Sequence, residues 1–291
     1  MSNTLIIDTS FGSTVGIVGH EPIVETDSRT HVERLQVNIA KVVEDAGLKP
    51  SDIKRVVVGV GPAPFTGLRA GLVAAKAIAF ANNAEILGCD SLLPQSLMMR
   101  SGAFEEARKN GVICKDLLLN LPNDADSCES NIRHYVLSLN DARRRQVYMS
   151  LYDDEGNALI NMDIDYPQNV VSRVNEYLAS ENGENYCVDV LGHGAKKYVE
   201  DWQNIVHVGV IAEVSALDLG SNGLQIFEQC AENCTENCAE SCAENCAEHC
   251  VDKDEHVKAV EPLYLRRPDV SVPNPLKHVL GSGEANKVKE K

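Results

Sequence analysis

The feature that most constrains the fold is a strand that ends at an aspartate and is followed, across polar turns, by two more strands. In the first half, residues 4–7 are apolar and predict a short buried strand. The turn that follows, 8–13, begins with Asp8 and contains Thr9 and Ser10. Residues 14–18 and 22–25 then predict two further strands.

The second half repeats this order. Residues 135–139 are apolar and run into an Asn140-Asp141 pair, so an aspartate again stands at the end of the first strand. Residues 147–152 and 158–161 predict the next two strands, with a turn signal between them. We interpret the two halves as a duplicated supersecondary unit whose sequence identity is low.

Helices and apolar strands separate the two units. Apolar residues three and four apart predict an amphipathic helix from Thr30 to Ala46. Residues 56–60 predict a strand that is buried on both faces, as in a parallel sheet, and 86–89 predict another strand. Strands that alternate with helices in two similar halves indicate a bilobal α/β fold.

The helix predicted from Thr66 to Ala81 is apolar on nearly every side. It carries small residues four apart, Gly67, Gly71, Ala75 and Ala79, and a sheet can cover only one of its faces. Either a helix of a partner approaches this small-residue row, or the row is buried within the chain. Periodicity leaves both alternatives open.

The net charge and the lengths of the apolar runs limit the kinds of function that this chain can have. The formal net charge is −16, which argues against a protein that binds nucleic acid by itself, since such binding draws on Lys and Arg. No secretion signal is recognisable, and no apolar run is long enough to span a bilayer, so we expect a soluble, cytoplasmic protein without membrane contact.

Six of the ten cysteines recur every four residues in segment 230–250. Thiols can bind zinc or copper, but a period of four drifts about 40° per step around a helix, so these would not line one face. We favour an acidic low-complexity insertion that is dispensable for folding. The predicted division is a first subdomain 1–105, a second 106–228, the Cys/Glu insertion 229–256, and a C-terminal segment 257–291 with a mobile tail.

Two segments are candidates for a phosphate or nucleotide site. Asp8-Thr9-Ser10 can hold a phosphate or its magnesium, as in actin-like ATPases, but a plain hairpin turn is the simpler reading. The turn 61–67 contains Pro62 and Pro64, which remove backbone donors, and lacks the Gly-Lys-Ser/Thr ending, so it is not a Walker loop. No two of the eight histidines stand four apart, which opposes a metallopeptidase.

Five ordered motifs resemble the TsaB (YeaZ) family of the actin-like ATPase superfamily, a group also related to TsaD (Gcp). They are Ile6-Ile7-Asp8-Thr9-Ser10, His31-Val32-Glu33-Arg34-Leu35, Gly61-Pro62-Ala63-Pro64-Phe65-Thr66-Gly67-Leu68-Arg69, Asp141-Ala142-Arg143-Arg144, and Pro262-Leu263-Tyr264-Leu265-Arg266. The third motif departs from the family form GPGSFTGLR at Ala63 and Pro64. The resemblance covers residues from about 4 to about 269 and does not include the cysteine repeat.

This resemblance implies a bilobal actin-like fold with two ribonuclease-H-like subdomains. It also implies a non-catalytic subunit of the machinery that makes tRNA N6-threonylcarbamoyladenosine, so that an old glycoprotease (peptidase M22) label would be misleading. The catalytic relative, TsaD, carries an HxxxH motif where this chain has 88–94 without histidine. The implied partners are a TsaD-type transferase, a TsaE-type ATPase and, for the chain alone, a second copy, with tRNA reached only through the complex.

The resemblance also assigns residues. The partner interface would lie on the two helices, and a vestigial nucleotide site would lie at Asp8, Thr9 and Ser10. It implies no firm cofactor, and leaves ATP or ADP with magnesium at the complex interface open. The alternative is an ATP-dependent enzyme of the same superfamily. The implied interface residues are His31, Glu33, Arg34, Leu35, Thr66, Gly67, Leu68, Arg69, Gly71, Leu72, Ala75 and Lys76.

Overall fold

The computed structural model describes residues 3–26, 31–120, 132–180, 186–241 and 260–265. Within helices, the side chains of His31 and of residues 234–241 are outside that description. The predicted mobile tail after 268 and the last part of the cysteine repeat, 242–250, also lie outside the described residues.

The first lobe is built on a five-stranded sheet, sheet A, in the order β3-β2-β1-β4-β5. The central strand β1 pairs antiparallel with β2 and parallel with β4, and β5 continues the parallel side. Every residue of β1 is buried, because helices cover both faces of the sheet. The strands are β1 Thr4–Asp8, β2 Ser13–Ile17, β3 Ile23–Glu25, β4 Arg55–Gly61 and β5 Glu85–Asp90.

The second lobe contains a six-stranded sheet, sheet B, in the order β6-β11-β10-β7-β8-β9. Read from β9, its first five strands repeat the order and the strand directions of sheet A. The predicted duplication and the bilobal α/β fold are therefore confirmed, and β6 is an addition at one edge. The strands are β6 Leu118–Asn120, β7 Arg133–Asp141, β8 Val147–Tyr152, β9 Ala158–Asp165, β10 Tyr186–His193 and β11 Val208–Ala212.

The helices make three layers around the two sheets. Helices α1 and α2 cover the outer face of sheet A, and α5 and α6 cover the outer face of sheet B. Between the sheets, α3, α4 and α7 pack in a shared core that takes residues from both lobes, including Ile6 and Leu191. The helices are α1 His31–Asp45, α2 Phe65–Asn82, α3 Leu93–Arg100, α4 Ala103–Lys109, α5 Pro167–Ser180, α6 Val199–Trp202 and α7 Ser221–Ser241.

The structure departs from the sequence prediction in this middle layer. Residues 103–109 form α4 and residues 118–120 form β6, two elements that the sequence analysis did not predict. Helix α4 buries Phe104 and Ala107 in the shared core, so the predicted subdomain boundary at 105 falls inside a helix. A seven-residue helix carries too short a periodic pattern to stand out in the sequence.

The predicted boundary at 229 is displaced for a similar reason. Helix α7 runs through it, and the first residues of the cysteine repeat, Cys230 and Ala231, are buried in the shared core. The repeat therefore begins as a continuation of a core helix, and only its later residues can form an insertion.

Across the described ranges, no helix combines the length and the apolar character that crossing a bilayer requires.

Candidate functional site

Helices α1 and α2 lie side by side on the outer face of sheet A and carry all twelve predicted interface residues. The small-residue row of α2 faces inward. A Cβ added to Gly71 would lie 2.5 Å from the Thr9 hydroxyl oxygen, which shows that the helix approaches the β1 turn closely at this point.

Six of the twelve predicted interface residues are therefore buried within the first lobe. Of the two alternatives for the row, burial within the chain is the one observed, and these side chains present no surface to a partner in this arrangement. The six are Leu35, Gly67, Leu68, Gly71, Leu72 and Ala75.

Three of the five exposed members of the set, Arg34, Arg69 and Lys76, make side-chain contacts within the chain. Arg34 forms an ion pair with Glu25 at 3.1 Å. Lys76 forms one at 3.3 Å with Glu261 of the C-terminal segment. Glu33 and Thr66 are exposed, and the side chain of His31 lies outside the described residues.

The residues that α2 does offer to solvent are apolar. Val73 and Phe80 are 68% and 91% exposed, and Ala77 lies between them at helical spacing. On α1, Val37 is 65% exposed. We call Val73, Ala77, Phe80 and Val37 the outer stripe. Sequence reasoning did not single these residues out, although a helix apolar on nearly every side was itself the signal.

Two of the five motifs, the turn 61–69 and the C-terminal motif 262–266, meet at the start of α2. The backbone N–H of Leu263 donates to the Val60 carbonyl oxygen at 2.8 Å, so segment 260–265 extends along the end of β4. The Arg69 guanidinium lies 3.6 Å above the Phe65 ring and donates from Nε to the Tyr264 hydroxyl at 2.8 Å. The turn and the C-terminal motif thus form one packed unit.

The Asp8-Thr9-Ser10 turn closes on itself. The Asp8 carboxylate accepts the Ser10 backbone N–H at 3.0 Å and the Ser10 hydroxyl at 2.7 Å. The Asp8 carboxylate lies over the backbone of Gly59. A Cβ atom added to Gly59 would lie 2.2 Å from Asp8 Oδ1. The glycine is therefore needed for the close approach of this carboxylate to β4.

A pocket lies above Asp8 between the two lobes. The Phe11 ring stacks on the imidazole of His193, with ring centroids 3.9 Å apart, and so joins the β1 turn to the end of β10. The cavity volume is about 20 Å³, which is room for one or two water molecules. Its lining residues are Asp8, Ser10, Phe11, Thr14, Ser91, Pro94, Gln95, Asn140, His193, Ser215, Ala216, Leu217 and Phe227.

Two carboxyl groups beneath this pocket have perturbed pKa values. Burial raises the pKa of Asp8 above its ordinary value, against the opposing effect of its bonds from Ser10. Burial also raises the pKa of Asp90 to about 6, and the negative charge of Asp8 adds to this rise. Asp90 accepts the backbone N–H groups of Leu92 and Leu93 at the start of α3, a role that the sequence analysis missed.

The equivalent aspartate of the second lobe is also engaged. Asp141 accepts two bonds from the Lys197 ammonium, at 2.9 and 3.0 Å. Asp8 and Asp141, which end the first strand of each lobe's duplicated unit, are therefore both hydrogen-bonded. Neither faces the pocket as an unpaired carboxylate. Asn140 does line the pocket, and its buried side-chain amide has no hydrogen-bond partner in the part of the chain that the structure describes.

Comparison with known proteins finds relatives of this chain by sequence and by fold. The family described as TsaD, tRNA N6-adenosine threonylcarbamoyltransferase, matches residues 19–107. An uncharacterized protein of Mycobacterium tuberculosis is 41% identical over 99 residues, which are 32% of this chain and 47% of that protein. A tRNA N6-adenosine threonylcarbamoyltransferase of Brucella anthropi is 41% identical over 69 residues, 22% of this chain and 19% of that protein.

Two solved structures share the fold. YeaZ from Pseudomonas aeruginosa covers 91% of this chain and 100% of its own, with a TM-score of 0.54 and 19% identity. An uncharacterized protein from the same organism, with similarity to the peptidase YEAZ, gives the same coverage, a TM-score of 0.51 and 18% identity. The chain therefore shares the fold of YeaZ, and its residues 19–107 are similar to TsaD-type transferases. It spans less than half the length of the curated relatives named above.

Proposed function

We propose that this chain is the non-catalytic subunit of a complex that forms tRNA N6-threonylcarbamoyladenosine, and that it binds a TsaD-type transferase. The observation that carries the proposal is the outer stripe. A Phe that is 91% exposed and a Val that is 68% exposed on one helix face are costly in water and are typical of a surface that another protein covers.

The binding mode we propose is helix against helix. Val73, Ala77 and Phe80 repeat at steps of four and three, so they form a ridge that a helix of a partner can pack against. Helix α1 lies beside α2 and adds Val37, which gives a two-helix surface. Two such helices against two of the partner make a four-helix contact, with a TsaD-type subunit or with a second copy of this chain.

The small size of the pocket supports a role without catalysis. A cavity of about 20 Å³ has no room for a nucleotide, and Asp8 and Asp141 are bonded within their own lobes. The small cavity and these hydrogen bonds argue against the alternative of an ATP-dependent enzyme. Any ATP or ADP with magnesium is proposed to bind at the interface of the complex, where a TsaE-type ATPase also joins. With a net charge of −16, we expect tRNA to be held by the partners.

The test is to co-express the full chain with a TsaD-type protein of the same organism and to measure complexes by size exclusion with light scattering. Val73→Glu and Phe80→Glu should leave a folded monomer, because each places a charge where close packing is needed. Val206→Glu is the matched control, since Val206 is an exposed valine of the second lobe. A folded Phe80→Glu protein that still binds the partner would contradict the proposal.

A further inference from the structure

A cluster of three side chains with metal-binding atoms lies on sheet B, far from the pocket between the lobes. His134 stands on β7, and Cys187 and Asp189 stand on β10. Cys187 and His134 are directly opposite each other in the parallel register, and Asp189 follows two residues later on the same face. The His Nδ1, the Cys Sγ and a carboxylate oxygen all lie within 4.8 Å of one another.

We propose that His134, Cys187 and Asp189 bind a divalent metal ion of the zinc class. Imidazole nitrogen, thiolate sulfur and carboxylate oxygen are the three ligand types that zinc takes in proteins. In a tetrahedral site such atoms are separated by about 3.3 to 3.7 Å, so the present cluster, with separations between 3.0 and 4.8 Å, needs only small shifts of its side chains. The fourth position would go to water, because the His134 side chain is 43% exposed.

The surroundings of the cluster fit a prepared site. Asp189 is 1% exposed, and its Oδ1 accepts the Val210 backbone N–H at 2.8 Å, which fixes the carboxylate. Its Oδ2 lies 3.0 Å from His134 Nδ1. Gly209 on the neighbouring strand leaves the space that these groups use, since a Cβ there would approach Cys187 Sγ to 2.2 Å and Asp189 Oδ1 to 2.5 Å.

Metal binding at this cluster needs no reactant other than the ion and the solvent that takes up the thiol proton. The thiol of Cys187 loses its proton to solvent, and His134 binds through Nδ1 while Nε2 keeps its proton. One thiolate and one carboxylate neutralise a divalent ion. The bond from Val210 to Asp189 then serves as the supporting contact that orients a ligand. The metal would join β7 to β10 at the end of sheet B opposite to Asn140 and His193, about 20 Å from the pocket.

The experiment must separate this site from the cysteine repeat. The full chain is used with serine at the repeat cysteines that follow the buried Cys230. Metal-free protein is titrated with Co²⁺, which gives an intense visible spectrum and a thiolate charge-transfer band when bound tetrahedrally, and then with Zn²⁺ as competitor. The replaced cysteines are Cys234, Cys238, Cys242, Cys246 and Cys250.

We expect one equivalent of Co²⁺ to bind and Zn²⁺ to displace it. Cys187→Ser should abolish the thiolate band, and Asp189→Asn should weaken binding at least about tenfold. Cys114→Ser is the matched control, because Cys114 is an exposed thiol outside the cluster, and it should leave binding unchanged. Less than a tenth of an equivalent bound, or a full band in the Cys187→Ser protein, would overturn the proposal.

A second measurement needs no variant at the site. In the full chain with serine at the same repeat cysteines, Zn²⁺ should slow alkylation of Cys187 at least about tenfold, because a coordinated thiolate is a poorer nucleophile. The rate at Cys114 serves as the internal standard and should not change. Equal alkylation rates at Cys187 with and without Zn²⁺ would count against a metal site even if Cys187→Ser did not fold.

Discussion

The ring of Phe11 stacks on the imidazole of His193 across the boundary of the two lobes, with centroids 3.9 Å apart and ring planes at 10°. His193 is in turn held by Asp218, whose carboxylate lies 3.2 Å from Nε2. Burial alone would raise the pKa of Asp218, but the bond from His193 and the contacts at Ser215 leave it below its ordinary value. The lobes are thus joined above Asp8 by side chains that a nucleotide would have to displace.

We therefore predict that the isolated chain does not hydrolyse ATP at enzyme-like rates of ~1 s⁻¹. The measurement is phosphate release by highly purified protein, with Phe11→Ala as a variant in which the stack is absent. Asp8→Asn controls for contaminating ATPases, because it alters the buried carboxylate beneath the pocket. Turnover in the wild type that disappears in Asp8→Asn would show an enzyme and refute this prediction.

Gly71→Ala should lower the free energy of unfolding by about 1–3 kcal/mol, because its Cβ would overlap Thr9. Thr9→Ala removes the overlapping hydroxyl and methyl groups, so the double variant should recover most of the loss. Chemical denaturation of the four proteins gives the coupling energy. If Gly71→Ala unfolds like the wild type but no longer dimerises, the small-residue row would be an interface after all.

Stability should depend on pH through Asp90, whose pKa is raised by burial from 3.8 to about 6. The folded protein binds more protons than the unfolded chain between about pH 4 and pH 6, so this group's contribution falls as pH rises through that window. Asp90→Asn should then be more stable than the wild type at pH 7 by up to about 3 kcal/mol, with the difference vanishing near pH 4. Asp154→Asn, at an exposed carboxyl, is the control in urea unfolding series, and a pH-independent difference for Asp90→Asn would contradict the assignment.

The cysteine repeat should be separable into a structural start and a dispensable remainder. Deleting 234–250 should leave cooperative unfolding intact, whereas deleting 230–250 should destabilise the protein by several kcal/mol. The larger deletion removes the buried Cys230 and Ala231 together with Glu232, which pairs with Arg55. Thermal unfolding followed by circular dichroism compares the two, and equal stability of both would restore the view that the whole repeat is an insertion.

Binding of tRNA by the chain alone should be negligible at physiological salt. The net charge of −16 repels phosphates, and weak binding of the nonspecific kind needs clustered Lys and Arg. Filter binding or fluorescence anisotropy at several salt concentrations is the measurement. Micromolar affinity with a steep salt slope would mean that the chain itself holds tRNA in the complex.

Much of each lobe could be predicted because its elements have strong local patterns. The strands β1 and β4 contain continuous apolar runs, at 5–7 and 56–60, and α1 keeps one apolar face over fifteen residues. The middle layer could not be predicted, because α4 is short and α7 ends in a polar repeat. Their burial depends on two sheets meeting from opposite sides, which no local window of sequence contains.

The sequence by itself determined the duplicated order of strands, the absence of a phosphate loop and the motifs that link this chain to its relatives, since these depend on residue type and spacing alone. Only the tertiary structure decided which face of α2 is outside. Gly71 and Ala75 are buried on the sheet while Val73 and Phe80 face solvent, and the Thr9 side chain fits against α2 because Gly71 has no Cβ at that point. The tertiary structure also brought His134 beside Cys187 and Asp189, since parallel pairing joins residues that are more than fifty positions apart.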